Sequence, residues 1–115
     1  MAIADRLNDL WGGVIDNVML DIDHHAAEFA IRVTEVGMVT RYRLRFSGVV
    51  LFHFLDERLM GDWNYAELTE IECKVQSDES VVTEIGMWGV ARLTIHSLGI
   101  DLAEIDSAAK GATSE

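Results

Sequence analysis

The residues most capable of chemistry lie close together between Asp21 and His25, where two aspartates precede two adjacent histidines. Carboxylate and imidazole groups are common zinc ligands. However, Asp21, Asp23, His24 and His25 are crowded along one segment, and adjacent residues of a strand point to opposite faces. No second pair has the spacing that would complete a tetrahedral site. We therefore interpret the segment as a solvated turn and expect no bound metal and no other cofactor.

Two isolated histidines are the candidate general bases. His53 lies in an apolar run, and His96 lies between Ile95 and Ser97 in a late strand-like segment. A single histidine on a strand more often packs its ring and hydrogen-bonds a neighbour than it transfers protons. We interpret both as structural residues. They nevertheless keep open an alternative function, a small-molecule carrier or enzyme with its ligand inside a curved sheet near these rings.

The candidate nucleophiles are Ser47 and Cys73. Ser47 has neither the preceding glycine of a nucleophile elbow nor the helix that should follow it. Cys73 alternates with glutamates, whose negative charge raises the pKa of a thiol and makes it a poorer nucleophile. As the only cysteine, Cys73 also rules out an internal disulfide and fits a reducing compartment. These observations predict a cytoplasmic protein that is not an enzyme.

Net charge is the strongest global property of the chain. Twenty acidic residues against nine basic ones give a formal charge of −11 at pH 7. Such a field repels nucleic-acid phosphates and anionic lipid headgroups, so neither nucleic acid nor a membrane is an expected partner. The same field accelerates encounter with a basic protein. Acidity also keeps a small domain soluble, so the basic partner is a hypothesis at this point.

The predicted contact surface for a basic partner runs from Asp56 to Glu72. Its loop carries Trp63 beside Asp62 and Tyr65, and aromatic anchors of this kind dominate binding energy at interfaces. Acidic residues around the aromatic pair would steer the partner and set its register. The candidate partner-binding residues are Asp56, Glu57, Asp62, Trp63, Tyr65, Glu67 and Glu70.

The elements that position these residues are mainly strands. In residues 41–46, aromatic and aliphatic side chains alternate with three arginines, the period-2 pattern of a half-buried antiparallel strand. Residues 27–34 alternate in the same way, and the short link between the two segments predicts a hairpin. Because the two apolar faces must coincide, we expect Phe29 to lie opposite Leu44.

The same register predicts how charges meet on the outer face of the hairpin. It sets Glu28 opposite Arg45, which is an attractive pair, and Arg32 opposite Arg41, which is a repulsive one. Residues 67–75 alternate acidic with apolar side chains and predict a further strand. We expect this acidic strand to lie beside the arginines and to neutralise them.

Three further segments have recognisable patterns. Residues 3–11 have the apolar spacing of a short amphipathic helix, closed by two glycines. Residues 14–22 favour a first strand in which Val14 and Val18 share a face. Residues 49–55 are apolar at nearly every position, which is typical of a strand buried on both sides, and the Ser-Gly pair before them indicates a bulge or bend.

These segments predict an α+β or all-β domain of about seven strands with one short N-terminal helix. The sheet is expected to be antiparallel, as either a strongly curved sheet or a sandwich. Residues 81–98 read as one long strand or two short strands broken at Gly86 and Gly89. We expect residues 1–106 to form a single globular domain and residues 107–115 a frayed C-terminal tail. Exposed strand edges also leave open a homo-oligomeric structural module, such as a homodimer.

Several segments, taken in order, resemble one known family. They are Leu10-Trp11, FSGVVLFHF from Phe46, WNYAELTEI from Trp63 and ARLTIHSLGIDLAEI from Ala91. Together they resemble the YxiG-like group of small bacterial proteins, over residues 10–108. Some members of that group occur beside polymorphic-toxin genes and are regarded as immunity proteins. The resemblance therefore implies a non-enzymatic acidic protein-binding domain that masks a basic toxin, and it brings no catalytic residues with it.

Overall fold

The protein is a single open antiparallel sheet preceded by a short helix in the computed structural model, which describes residues 3–56, 66–87 and 91–109. Helix α1 (Ile3–Leu7) continues into a 3-10 turn at Asn8–Leu10. The strands are β1 (Val14–Asp21), β2 (Ala26–Glu35), β3 (Met38–Ser47), β4 (Leu51–Asp56), β5 (Ala66–Val75), β6 (Val81–Met87), β7 (Ala91–Ser97) and β8 (Gly99–Ala109). Within these residues the strand order is β4-β7-β6-β5-β1-β2-β3-β8. The predicted fold class is confirmed, with eight strands in place of about seven.

Two bends fold this sheet over on itself. The chain passes from β3 into β4 through Gly48 and from β7 into β8 through Leu98. The Leu98 amide donates to the carbonyl of Ser47 at 3.0 Å, so the two bends lie against each other. Gly48 has a φ of +61°, and a Cβ there would lie 2.9 Å from the Leu98 side chain, so the position requires glycine. The bend predicted before residues 49–55 is confirmed.

The predicted register of the β2–β3 hairpin is confirmed. Phe29 pairs with Leu44, and Glu28 pairs with Arg45, whose guanidinium lies 3.1 Å from the Glu28 carboxylate. The Phe29 ring packs edge-on against Phe46, with ring centroids 5.7 Å apart. This register holds because a slip by one residue would turn the whole apolar face of the strand to solvent.

The repulsion predicted between Arg32 and Arg41 is relieved, but by other acids than those expected. Arg32 donates to both carboxylate oxygens of Asp16 on β1, with a shortest distance of 3.0 Å. Arg41 donates to Asp106 on β8 at 3.2 Å. The acidic strand β5 does not lie beside these arginines, because β1 separates it from β2 in the sheet. The prediction that β5 neutralises them is therefore wrong.

The hydrophobic core lies between the two halves of the folded sheet, and the N-terminal segment closes one end of it. Leu7 and Leu10 are buried, whereas Trp11 is exposed and its indole N–H donates to the Thr69 carbonyl at 3.1 Å. Among the described residues, no helix has the length and apolar character needed to cross a membrane. The largest fully buried hydrophobic side chains are Phe29, Phe46, Leu7, Leu10, Ile31, Leu44, Leu68, Ile85 and Ile95.

Several boundaries differ from those predicted. Residues 81–97 contain two strands, and Gly86 lies inside β6 instead of at a break. Strand β8 runs to Ala109, so residues 107–109, which were expected in the frayed tail, pair with β3. The ladder between β3 and β8 thus extends into residues whose small side chains had indicated a frayed tail. Residues 88–90 and 110–115 lie outside the described residues.

Candidate partner-binding groove

Strand β4 is the part of the structure that departs most from the sequence-based expectation. Its apolar run was predicted to be buried on both sides. Instead, the large hydrophobic residues Val50, Leu51, Phe54 and Leu55 are 48–68% exposed. The reason is position, because β4 ends the sheet and, within the described residues, pairs only with β7.

Strand β1 is the second wall of the same open region. Among the residues that the structure describes, it pairs with β5 at Val14 and Ile15, whereas its pairing with β2 continues to Asp21. A bulge between Ile15 and Asn17 shifts the register, so Val18 lies opposite the buried Phe29. The expectation that Val14 and Val18 share a face is therefore wrong, because the extra residue inverts the alternation.

The inner faces of β1 and β4 are left partly uncovered. Val18 and Leu20 on β1 lie opposite buried residues of β2, yet they are 40% and 43% exposed. Phe54 on β4 lies opposite the buried Leu93, yet it is 53% exposed. These three side chains face the core without being covered, because the described residues place no strand between β1 and β4.

The space between the two strands holds two apolar pockets that share Phe52, and together they are here called the β1–β4 groove. One stretch encloses about 450 Å³ and the next about 180 Å³, and Phe52 lines both. The Phe52 ring stacks on Phe29, with centroids 6.3 Å apart, and this contact ties the groove floor to the core. The first stretch is lined by Ile15, Asp16, Asn17, Val18, Phe52, Phe54, Met87 and Leu93, and the second by Leu20, Asp21, Ile22, His25, Val49, Val50, Leu51 and Phe52.

Acidic residues stand at both ends of the β1 wall. Asp16 is held by the bidentate contact from Arg32, and Asp21 accepts from His24, whose Nδ1 lies 2.8 Å from its Oδ2. That hydrogen bond lowers the pKa of Asp21 below its ordinary value, so the carboxylate stays charged. His24 and His25 lie in an exposed turn, as predicted. Within the described residues, no three acidic, histidine or cysteine side chains converge as a metal site would require.

The contact surface predicted from the sequence is not assembled by the described part of the chain. Glu57, Asp62, Trp63 and Tyr65 lie outside the described residues. Asp56 ends β4, whereas Glu67 and Glu70 lie on β5, so three strand spacings of about 5 Å each separate the two groups.

An arginine on the intervening strand β7 also weakens the acidity of that predicted surface. Arg92 lies 3.7 Å from the carboxylate of Glu70 and 3.3 Å from that of Glu84. Of the predicted residues that are described, Asp56 is the one that lies on a strand bordering the β1–β4 groove.

A serine, a histidine and an aspartate do meet, on the outer side of the fold. The Ser80 hydroxyl donates to Asp78 at 2.5 Å, and Nε2 of His96 lies 2.9 Å from the same hydroxyl oxygen. A serine nucleophile needs the histidine as its proton acceptor, but here the proton points at the aspartate. Ser80 is also only 3% exposed. The trio therefore fastens the β5–β6 turn to β7, and His96 hydrogen-bonds a neighbour as a structural histidine does.

The remaining chemical candidates lie outside the groove. His53 is exposed and lies on the opposite face of β4 from Phe52 and Phe54, which line the groove. Burial raises the pKa of the half-buried Cys73 thiol, which disfavours the thiolate. The carrier alternative had its ligand beside His53 and His96, and neither residue lines the groove.

The family model for YxiG-like proteins matches residues 3–88 of the chain. The chain belongs to the YxiG-like family. The match includes β1 and β4, which form the two walls of the groove, and ends before the segment from Ala91 that also carried the resemblance. None of the curated proteins matches the chain significantly.

Sequence reasoning missed the groove because each wall was misassigned. The apolar run of β4 indicated burial, and its place at the end of the sheet depends on pairing with β7, some 40 residues later in the chain. The bulge at Asp16 reverses which side chains of β1 face inward. One signal was present in the sequence, since Asp16-Asn17 interrupts an otherwise apolar strand at the site of the bulge.

Proposed function

We propose that this protein is a non-enzymatic acidic domain that binds and masks a basic protein in the bacterial cytoplasm, as an immunity protein masks its toxin. The observation that carries the proposal is the β1–β4 groove, in which Val18, Leu20 and Phe54 face the core but remain 40–53% exposed. Contiguous apolar surface rimmed by charge marks interaction sites in soluble proteins. A protein partner fits this surface because it would cover side chains that the fold itself leaves uncovered.

Charge supports a basic partner. The chain carries a formal charge of −11, and three arginines at the sheet surface, Arg32, Arg45 and Arg41, are engaged by Asp16, Glu28 and Asp106 in that order. The remaining acidic excess generates a field that attracts a positively charged protein and speeds its encounter. The YxiG-like family supports the same direction, since some of its members are regarded as toxin-immunity proteins.

Binding kinetics with the purified product of the adjacent gene test this proposal. We expect the association rate to fall about tenfold when ionic strength rises from about 0.05 to 0.3 M, because screening weakens long-range attraction. Reversing Asp21 to lysine should slow association, whereas the same change at Asp101, on β8 three strands from β1, should do so less. Trp63→Ala tests the aromatic anchor predicted from the sequence. If Trp63 is an anchor, its loss should weaken binding by about 2 kcal/mol.

Absence of binding by a basic neighbour product, or binding that does not respond to salt, would contradict the proposal. If the Trp63→Ala variant folds and dissociates from the partner at an unchanged rate, Trp63 is not part of the contact surface. The groove then remains the proposed site. Melting curves of each variant separate loss of binding from loss of folding.

A small-molecule carrier is the second candidate, favoured by one observation. The larger stretch of the groove, at about 450 Å³, is within the range of ligand pockets and its lining is mainly apolar. Its polar lining residues are Asp16 and Asn17, and Asp16 is already engaged by Arg32. Saturable binding of a neutral apolar dye that a basic protein partner does not displace would favour the carrier.

A further inference from the structure

The two walls of the β1–β4 groove are strand edges of similar length. β4 contributes six residues, and β1 is without a second strand partner, among the described residues, from Asn17 to Asp21. Six residues of strand span about 20 Å. A strand edge offers backbone N–H and C=O groups that a further extended segment can pair with. The groove is thus open along a length that suits one additional short strand.

The side chains that line the groove favour an extended guest with alternating character. Val18, Leu20 and Phe54 all belong to the inner face of the sheet and are only half covered. In an extended segment every second side chain points to the same face. A guest with apolar residues at alternate positions would therefore cover these three side chains and turn its other residues to solvent.

The edge of β4 suits pairing better than the edges of β1 and β8. The β4–β7 ladder is regular from Leu51 to Asp56, whereas β1 has a bulge at Asp16 and β8 has one at Ile105. Bulges interrupt the ladder and protect an edge from further pairing. β4 carries Leu51, Phe54 and Leu55 without a lysine or arginine along its length.

From this geometry we propose that the β1–β4 groove takes an extended segment of the basic partner, which adds as a strand to the edge of β4 that has no partner within the described residues, and covers the open core. This inference rests on the proposed function and specifies how that function is performed. Addition of a strand in this way gives affinity through main-chain hydrogen bonds and selectivity through alternate side chains.

Charge defines the rest of the guest. Asp16 and Asp21 stand beside the groove on β1, and Asp56 ends β4. An extended segment running between the walls has its ends near these carboxylates. We therefore expect the guest to carry lysine or arginine on one or both sides of its alternating apolar residues, since opposite charges at the rim assist encounter and register.

The test uses random peptides of about twelve residues displayed on phage, twice the length that pairs with β4, selected on the intact protein. The expected binders alternate apolar and polar residues and have basic flanks. Binders with apolar residues at helical spacing, or no binders, would overturn the inference. This selection does not depend on the adjacent gene product, so its failure is distinct from failure of the proposed function.

Backbone pairing is then tested on the best peptide, made synthetically. N-methylation removes one N–H donor, and methylation at alternate residues should weaken binding about tenfold at one parity and little at the other. A strand pairs through every second residue on each edge, so this alternation is specific to strand addition. Equal effects at both parities would contradict it.

Matched variants locate the site. Phe54→Lys on β4 and Ile105→Lys on β8 replace apolar residues that are both 53% exposed. We expect the first to weaken binding of the selected peptide about tenfold or more and the second less than about threefold. Val18→Thr on the opposite wall is a milder change that keeps the test valid if Phe54→Lys fails to fold.

Three other outcomes would overturn the inference. Equal loss in the two lysine variants would place the peptide elsewhere. A dimer that Phe54→Lys converts to monomer would make the groove an interface between copies of this chain. Peptide binding that a neutral apolar dye abolishes, with no response to N-methylation, would make the groove a small-molecule site.

Discussion

The two end strands of the sheet, β4 and β8, differ in how well their edges are protected from pairing with another strand. β8 carries Asp101, Glu104 and Asp106, and its bulge leaves Ile105 outside the ladder with β3. Arg6 of α1 donates to the Leu102 carbonyl at 2.7 Å and so engages its backbone. β4, by contrast, has a regular ladder and four large exposed hydrophobic residues at or beside it.

The difference shows which edge the fold protects and which it leaves available. Charges, bulges and covering elements are the devices by which soluble proteins prevent unwanted strand pairing. All three are present at β8, whereas β4 presents four apolar side chains and His53 before its terminal Asp56. Our proposal places the partner at the edge of β4, because the core beside it is only half covered.

The largest expected effect on stability comes from comparing a phenylalanine beside β8 with one on β4. Phe46 on β3, next to β8, is fully buried, whereas Phe54 on β4 is 53% exposed. Phe46→Ala should lower the free energy of unfolding by about 3–5 kcal/mol, because it removes a large side chain and leaves a cavity. Phe54→Ala should cost only about 1 kcal/mol, because half of its surface is already in water. Denaturant unfolding measures both values. Similar losses would show that the core is covered equally well beside β8 and at β4.

A second, smaller effect tests the backbone contact at β8. Arg6→Met should lower the free energy of unfolding by about 1.5–3 kcal/mol, because the part-buried Leu102 carbonyl loses a charge-assisted hydrogen bond. Arg45→Met is the control, since its ion pair with Glu28 is exposed and worth about 0–1 kcal/mol. If the two variants lose equal stability, the α1 contact is not what protects the edge.

The smallest effect concerns the turn that supports β7, the partner strand of β4. Hydrogen bonds from the Ser80 hydroxyl and amide lower the pKa of Asp78 below 3.8. A lowered folded-state pKa stabilises the protein fully above the unfolded value of about 3.8, and this contribution is lost as pH falls through the lowered value. Asp78→Asn should therefore destabilise the protein at neutral pH, and the difference should shrink below pH 4 or so.

Denaturant titrations at several pH values measure this difference, with Asp101→Asn as the control for loss of one acidic charge. A difference that stayed constant from neutral pH to pH 3 or so would mean that hydrogen bonding to the charged carboxylate is not its cause.

The sequence predicted a structural feature well where residues close together in the chain determine that feature. The β2–β3 hairpin was predicted to the residue, because two alternating apolar faces joined by a short turn allow only one register. The predicted partner-binding residues stay a prediction. Of the seven partner-binding residues, four lie outside the described residues, and Asp56 is the one at the edge of the groove.

By itself, the sequence determined the −11 charge and the alternating strands of the β2–β3 hairpin, because each depends on residues read in place or a few positions apart. Only the tertiary structure decided that β4 ends the sheet and that β1 turns Val18 and Leu20 toward an uncovered core. The physical reason is that burial is set by which strand lies alongside, and that neighbour comes from a distant part of the chain. The sequence pattern of an apolar strand is the same whether another strand covers its side chains or they line an open groove.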